Sequence, residues 1–299
     1  MADELDLLRR ANPVPVDGPH FGDGPLDHHA ERQLNRLMQQ RTPRRRLRPA
    51  WALAATAVVA AVVSALLFTG QTTAPAVAAP RPLVVRADSA PVPLKSLAEL
   101  AQSAATDGAP KLRKGTHVQT WSLAMSDDKP PVTLPEERIV RWRADGSHTE
   151  LVAEDGDIVS RQTYPPSWSD APPQSPPPRD AERLRAYLEE ATYSESLSTP
   201  QLLDAVGVLL DTWTLGARES AALVRLLART EGLRPVGQVT DRLGRPGQAY
   251  AYDGPGARRM LILDPATGTV LGLETTFTKD QPEYGVKAGD VMEYSAWTR

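Results

Sequence analysis

Cysteine is absent from the 299 residues of this chain. Its absence excludes disulfide bridges, thiolate metal sites, a cysteine nucleophile and a lipidated cysteine anchor. Histidine is scarce, and only His117 and His148 follow residue 50. Neither has a ligand partner at the short spacing of dedicated metal sites, and His148, beside a predicted turn, is expected to be solvated. We therefore expect no metal and no cofactor.

Familiar catalytic and phosphate-binding motifs are also missing. The sequence contains no G-x-S-x-G, no P-loop, no G-x-G-x-x-G and no H-E-x-x-H pattern. Its formal net charge of −3 lacks the basic excess with which nucleic-acid binders release counterions. These absences favour a protein that is not an enzyme and does not bind DNA or RNA directly.

Charged residues are missing altogether from residues 50–70, AWALAATAVVAAVVSALLFTG. A helix of this length reaches about 31 Å, which matches the roughly 30 Å hydrocarbon core of a bilayer. The run is apolar on every face, whereas a buried helix of a soluble domain shows a polar stripe. We therefore predict a transmembrane helix, with Trp51 and Phe68 near its boundaries.

The flanking charges predict the orientation of this helix. Arginines crowd its N-terminal boundary, whereas residues 71–80 carry no charge. Because positive flanks stay cytoplasmic, the N-terminus should lie inside the cell and the C-terminal domain outside. Small residues at 76–80 leave signal-peptide cleavage as an alternative, but the length of the run favours a retained anchor. The boundary arginines are Arg41, Arg44, Arg45, Arg46 and Arg48.

The chain is thus divided into a cytoplasmic tail (1–49), the transmembrane helix (50–70), an Ala/Pro-rich linker (71–90) and an extracytoplasmic domain (91–299). Two short helices are predicted in the tail, and the second carries an apolar stripe at helical spacing. Such a short helix is marginal alone, so its stripe favours a partner: the bilayer surface, another copy of the chain or a cytoplasmic protein. The stripe contains Leu26, Leu34, Leu37 and Met38.

Short strands separated by turn formers open the outer domain. Asp145-Gly146 and Asp155-Gly156 each stand between alternating runs, which predicts hairpin turns. Residues 94–105 have helical periodicity, and the proline-rich segment 165–178 predicts an extended surface loop, because proline cannot donate to a sheet ladder. The strands are predicted at 116–125, 137–144, 147–154 and 157–164.

Helical periodicity returns between residues 179 and 231, and strand patterns follow it. This order predicts an α+β domain with a largely antiparallel, curved sheet and a helical insertion. Ser198 or Thr199, followed by Pro200, can begin the second inserted helix. The helices are predicted at 179–191, 199–213 and 217–230, and the strands at 235–243, 247–253, 257–264, 269–278 and 291–298.

Aromatic residues make up only 5% of the chain and are concentrated in the predicted strands. The simplest interpretation is that they pack between the sheet and the helices. Alternatively, the curved sheet leaves an apolar cleft suited to a lipid chain or a peptide. The candidate cleft aromatics are Trp121, Trp142, Tyr250 and Tyr252, the last two sharing one face of their strand.

Several motifs resemble a known group of proteins. They are DELDLLRRANP, WRADGS, TDRLGRPGQAYAY and LILDPATGTVLGLE. Together with a single span near residue 50, they resemble a family of actinobacterial single-pass membrane proteins often encoded beside RNA polymerase sigma-factor genes. Arginine outnumbers lysine by 28 to 6, which fits a GC-rich genome. The motifs are turns and strand edges, so the resemblance implies no catalytic residue.

The outer domain is also similar to half-barrels of the LolA and RseB type, which bind acyl chains or lipoproteins outside the cytoplasmic membrane. RseB-like proteins are soluble and act with a separate membrane anti-sigma factor, whereas this chain has its own predicted anchor. The resemblances imply an envelope sensor or regulator, with an outer lipid or protein ligand and a cytoplasmic partner such as a sigma factor. A membrane-tethered lipid or lipoprotein carrier is the alternative, and a hydrolase using His117 or His148 is a third hypothesis.

Overall fold

The computed structural model describes residues 80–126, 129–167 and 169–299, with only the backbone of Lys129. Within these ranges no helix is both long and apolar enough to cross a bilayer. The predicted tail helices, the transmembrane helix and most of the linker lie outside the described residues. The same holds for the boundary residues Arg41, Arg44, Arg45, Arg46, Arg48, Trp51 and Phe68 and for the stripe of Leu26, Leu34, Leu37 and Met38.

The described chain is an α+β domain with four α-helices, as the periodicity predicts. The α2 helix begins where the Asp180 side chain accepts hydrogen bonds from the backbone N–H groups of Glu182 and Arg183. Ser198 precedes α3, and its backbone N–H donates to Gln201 Oε1 at 3.0 Å. The helices are α1 (Leu94–Ala104), α2 (Ala181–Ala191), α3 (Thr199–Thr212) and α4 (Ala217–Leu227).

Ten antiparallel strands form one open, curved sheet. Nine of them follow the order β4-β3-β2-β1-β10-β9-β8-β7-β6, and the short β5 pairs with the start of β1. The first half is β1 (Arg113–Ser126), β2 (Lys129–Trp142), β3 (His148–Glu154), β4 (Asp157–Tyr164) and β5 (Trp213–Thr214). The second half is β6 (Arg234–Thr240), β7 (Pro246–Asp253), β8 (Ala257–Leu263), β9 (Val270–Phe277) and β10 (Val291–Thr298).

Both predicted hairpin turns are confirmed. Asp155 and Gly156 have φ values of 50° and 88°, and this pair of positive angles matches the twist of the flanking strands. Gly146 has φ 80°, and Asp145 Oδ1 accepts the backbone N–H of Ser147 at 2.9 Å. The third turn, at 264–268, is closed by Asp264 Oδ1, which accepts the backbone N–H of Thr267 at 2.7 Å.

The four helices pack against one face of the sheet, which we call the helix face. Leucines of α2, α3 and α4 that are fully shielded from solvent meet strand residues such as Tyr250 and Leu261 in one continuous core. The core-facing leucines include Leu188, Leu202, Leu203, Leu223 and Leu227. Burial of so many complete side chains makes this core the main stabilising element of the domain.

A second, smaller core lies on the opposite face, the outer face. It contains Ile262, Tyr294 and Ala296, and Leu83 and Val85 from the start of the domain pack over it. The same initial segment follows the edge strand β6, because the backbone N–H of Arg86 donates to Gln238 O at 2.8 Å. This cover protects one exposed edge of the sheet.

Candidate functional site

Strands β2, β3 and β4 form a wing of the sheet that we call the uncovered wing. No residue of β3 or β4 is buried, whereas most of β7, β8 and β9 is packed between two layers. The wing and the end of β1 carry five of the nine large hydrophobic side chains that are exposed among the described residues, including Ile158 at 59% and Val159 at 54%. The other three are Met125, Val132 and Leu134. These three lie on β1 and β2, whereas Ile158 and Val159 are adjacent on β4.

An aromatic ladder crosses one end of the wing on the helix face. Trp142, His148 and Tyr164 are directly opposite one another on β2, β3 and β4. Their rings are stacked, with centroids 4.2 Å apart for Trp142 and His148 and 4.7 Å for His148 and Tyr164. Two polar atoms of this ladder, Trp142 Nε1 and His148 Nδ1, are buried without a hydrogen-bond partner among the described residues.

A pocket of about 370 Å³ lies beside this ladder, where β1 extends past the end of β10. Four of its lining residues are the basic residues Arg113, Lys114, Arg141 and Arg299, and we call it the basic pocket. The Lys114 ammonium lies 3.8 Å from the centroid of the Trp142 ring, which forms one wall. The remaining lining residues are Thr116, His117, Ile139 and Val140.

The electrostatics of the basic pocket are unusual. Burial lowers the pKa of Lys114. Burial, and then the neighbouring charge of Arg113, lowers the pKa of the Arg299 guanidinium. Among the described residues, no carboxylate forms an ion pair with any of the four basic side chains. The pocket therefore gathers four basic side chains without an ion pair to a described residue, of which the Arg299 guanidinium also donates to the Leu215 carbonyl.

The two histidines lie apart in the described structure. His117 Nε2 lies 2.6 Å from Glu137 Oε1, and this hydrogen bond is the main reason that the pKa of Glu137 is lowered. His148 was expected to be a solvated turn residue, and that expectation is wrong. It is held between two aromatic rings, and the resulting desolvation lowers its pKa.

The four candidate cleft aromatics are not brought together. Trp121 packs on the outer face, 5.5 Å between ring centroids from Tyr294. Trp142 belongs to the aromatic ladder and lines the basic pocket. Tyr250 is fully buried in the helix-side core, and Tyr252 packs against the same core, so these two do share one face. Their environment is a packed core and not an open cleft.

Acidic residues meet on the helix face beside α3. Asp211, at the end of α3, accepts a hydrogen bond from Trp297 Nε1 at 3.1 Å. Desolvation raises the pKa of Asp211, and desolvation followed by the negative charges of Asp211 and Asp204 raises that of Glu293. Arg259 balances part of this charge through its ion pair with Asp204 at 3.1 Å.

One small pocket borders the helix-side core. The pocket bordered by Leu210, Trp213 and Trp297 holds about 30 Å³, roughly the volume of a single water molecule. A larger groove of about 510 Å³ runs between α1 and α4, but it is open and bordered by charged side chains such as Lys95, Glu99 and Arg225. The first space is too small for an acyl chain, and the second is not an enclosed apolar cavity.

No protein-family model matches this chain, and no curated protein matches it. In the described part of the chain, no three His, Asp or Glu side chains are grouped so that they could hold a metal ion. The basic pocket is the chemically distinctive site that the sequence interpretation missed. Its four basic residues are separated by up to 186 positions, and only the pairing of β1 with β2 and β10 brings them together.

Proposed function

We propose that this chain is a single-pass membrane protein that acts as an envelope sensor or regulator. Its tail lies in the cytoplasm, and its outer domain, a half-barrel of the LolA and RseB type, binds a ligand or partner. The observation that carries this proposal is the uncovered wing, whose strands expose apolar side chains while most of β7, β8 and β9 is buried. An antiparallel sheet tolerates a solvated face, but large apolar side chains exposed on such strands favour a binding surface.

The packing of the described core favours a sensor over the alternative of an acyl-chain carrier. A carrier requires an apolar cavity of several hundred Å³ between sheet and helices. The helix-side pocket here offers about 30 Å³, and the candidate aromatic Tyr250 is fully buried in the packed core. A hydrolase is disfavoured because His148 is stacked between rings and His117 is bonded to Glu137 alone among side chains.

The cytoplasmic half of the proposal rests on the apolar stripe of the tail and on the family resemblance. The full chain, carrying an affinity tag after its last residue, would be purified in an uncharged detergent from its own host. We expect a sigma factor to co-purify, and Leu34→Asp combined with Leu37→Asp to abolish this because two charges then interrupt the stripe.

The matched control adds the same two charges on the opposite side of the predicted tail helix, as Asn35→Asp with Gln39→Asp. It should retain the sigma factor at the level of the unchanged chain. Failure of any sigma factor to co-purify with the unchanged chain, or equal loss in both double variants, would remove the regulatory part of the proposal.

A further inference from the structure

The basic side chains of the basic pocket form no ion pair with a described residue, whereas several arginines elsewhere in the domain are paired with carboxylates. Arg138 is paired with Glu150, Arg245 with Asp241 and Arg242 with Glu274, each in a partly or fully buried position. Arg113, Lys114, Arg141 and Arg299 line one pocket without such a partner among the described residues. Like charges gathered in a concave site attract an anion, because the low-dielectric walls focus their field.

Lys114 gives the pocket a desolvated donor. Its ammonium is held above the Trp142 ring at 3.8 Å and is 5.5 Å from the centroid of the Trp213 ring. No hydrogen-bond acceptor for its three N–H groups is found within the described part of the chain. A partly buried ammonium in such a position gains most from an incoming oxyanion, since burial has already removed much of its water.

The guanidinium groups determine which anion fits best. Arginine presents parallel N–H donors that match the oxygens of phosphate or carboxylate in a fork geometry. Three arginines and one lysine exceed what a single carboxylate can neutralise, whereas a phosphate group carries up to two negative charges and several strong acceptor oxygens. Thr116, buried in the same wall, adds a hydroxyl.

We infer that the basic pocket is a binding site for a phosphate group, held by Lys114, Arg113, Arg141 and Arg299 and open beside the Trp142 ring. The inference deepens the proposed function, on which it rests, by naming the ligand class of the outer domain. Two sources carry this chemistry at a membrane surface: a soluble phosphate compound and the headgroup of an anionic phospholipid.

Titration calorimetry on the full chain in an uncharged detergent tests the site. The probes are inorganic phosphate, dihexanoyl phosphatidylglycerol and, as the zwitterionic control, dihexanoyl phosphatidylcholine, with sodium acetate at matched ionic strength as the anion control. We expect phosphate to bind and acetate not to, and Lys114→Gln and Arg141→Gln each to weaken phosphate binding about tenfold or more, the effect of losing one charge-assisted hydrogen bond.

Two exposed basic residues provide charge-matched controls. Lys279 and Arg218 do not line the pocket and form no ion pair with a described residue, so Lys279→Gln and Arg218→Gln should bind phosphate as the unchanged chain does. Arg141 is itself exposed, so its variant should stay folded even if Lys114→Gln does not. A thermal unfolding scan of each variant verifies this directly.

The outcomes separate the two sources and the two proposals. Tighter binding of phosphatidylglycerol than of phosphate, with the same variant pattern, assigns a lipid headgroup, and phosphate binding alone assigns a soluble compound. No binding above acetate, or equal loss in pocket and control variants, overturns the inference. Sigma-factor co-purification with the unchanged chain would then still stand, so failure of the site and failure of the proposed regulator are distinguishable.

Discussion

Arg242 and Glu274 form an ion pair in which the two side chains retain only 14% and 1% exposure and the Nη2–Oε2 distance is 2.6 Å. The pair holds the beginning of the described domain. Glu274 Oε1 accepts the backbone N–H of Leu83 at 2.9 Å, and Arg242 Nη2 donates to Arg81 O at 3.0 Å. The last part of the predicted linker is thus fixed to the outer face of the sheet by the buried pair Arg242 and Glu274.

Removing one member of this pair should be costly. Arg242→Ala leaves the Glu274 carboxylate buried without its partner, which costs about 3–5 kcal/mol of unfolding free energy. Arg234→Ala breaks an ion pair with Asp253 whose side chains are 55% and 47% exposed, and such surface pairs contribute about 0–1 kcal/mol. Urea unfolding of both variants measures the difference. Equal small losses would show that Glu274 is hydrated or finds another partner.

A second prediction concerns two glycines with positive φ in the turns between strands. At Gly268 (φ 69°) and at Gly256 (φ 85°), alanine would have to adopt a left-handed backbone conformation, which lowers the free energy of unfolding by about 1 kcal/mol at each position. A Cβ at Gly268 would also lie 2.7 Å from Val224 Cγ2 and 2.9 Å from Ala101 Cβ, whereas one at Gly256 meets no atom within 4 Å.

We therefore expect Gly268→Ala to destabilise the protein by about 1–3 kcal/mol more than Gly256→Ala, the usual cost of overpacking a core. The difference in denaturant midpoint between the two variants measures this extra cost. Equal midpoints would mean that α1 and α4 shift to admit the methyl group without loss.

Much of this fold is predictable from local sequence, because the spacing of apolar residues and the residue types that form turns are both recognisable within a few positions. β4 and β10 have the bounds that alternation predicts, and the turns at 145–146 and 155–156 follow from their Asp-Gly pairs. The first half of β2 was missed, since Pro130, Pro131 and Pro135 argue against a strand. The sheet tolerates these prolines because this part of β2 pairs with β1 only. β3 does not reach it, so no second strand needs the N–H groups that proline lacks.

The candidate site was less predictable, for a different physical reason. His148 looks solvated in sequence, but strand register places it directly between Trp142 and Tyr164. Register also joins the start of β1 to the end of β2, which brings Lys114 over the Trp142 ring. Such contacts depend on long-range pairing, and a single sequence carries no local signal for them.

The pH dependence of stability should report on Asp211. Burial raises the pKa of Asp211 in the folded protein, so the folded state holds a proton that the unfolded chain has already released. The free energy of unfolding therefore falls as pH rises from the ordinary aspartate pKa through the raised one. Asp211→Asn, whose side-chain oxygen can still accept from Trp297, should flatten this acid-range slope and be more stable than the unchanged chain at pH 7.

Asp107→Asn provides the control, because Asp107 is exposed and has no hydrogen bond to a described residue. Its curve of thermal midpoint against pH should follow that of the unchanged chain. An Asp211→Asn curve with the same acid-range slope would assign the pH dependence to another group, such as Glu293, whose pKa is also raised by burial.

The aromatic ladder predicts a spectroscopic signature. Desolvation between the Trp142 and Tyr164 rings lowers the pKa of His148, and the nearby positive charge of Lys114 acts in the same direction. Trp142→Ala removes one of the two stacked rings, and with it the ring over which the Lys114 ammonium lies, so the pKa of His148 should rise toward its ordinary value. Histidine proton shifts followed by NMR against pH measure this, with His148→Gln identifying the signal.

Trp121→Ala is the matched control for this titration, since Trp121 lies on the outer face beside Tyr294. It should leave the His148 titration unchanged. A His148 pKa that does not move in Trp142→Ala would show that strand packing, and not the stacked ring, keeps water from the imidazole.

Membrane topology can be tested directly because the chain has no cysteine of its own. Single-cysteine variants His20→Cys, in the predicted tail, and Tyr193→Cys, at a side chain that is 97% exposed in the outer domain, would be treated with a membrane-impermeant maleimide in intact cells. We expect only Tyr193→Cys to be labelled, and both to be labelled after lysis, because arginines at the boundary retain the tail inside. Labelling of both variants in intact cells would reject the predicted orientation. Loss of an N-terminal tag from the mature chain would show that residues 50–70 belong to a cleaved signal peptide and not to a retained anchor.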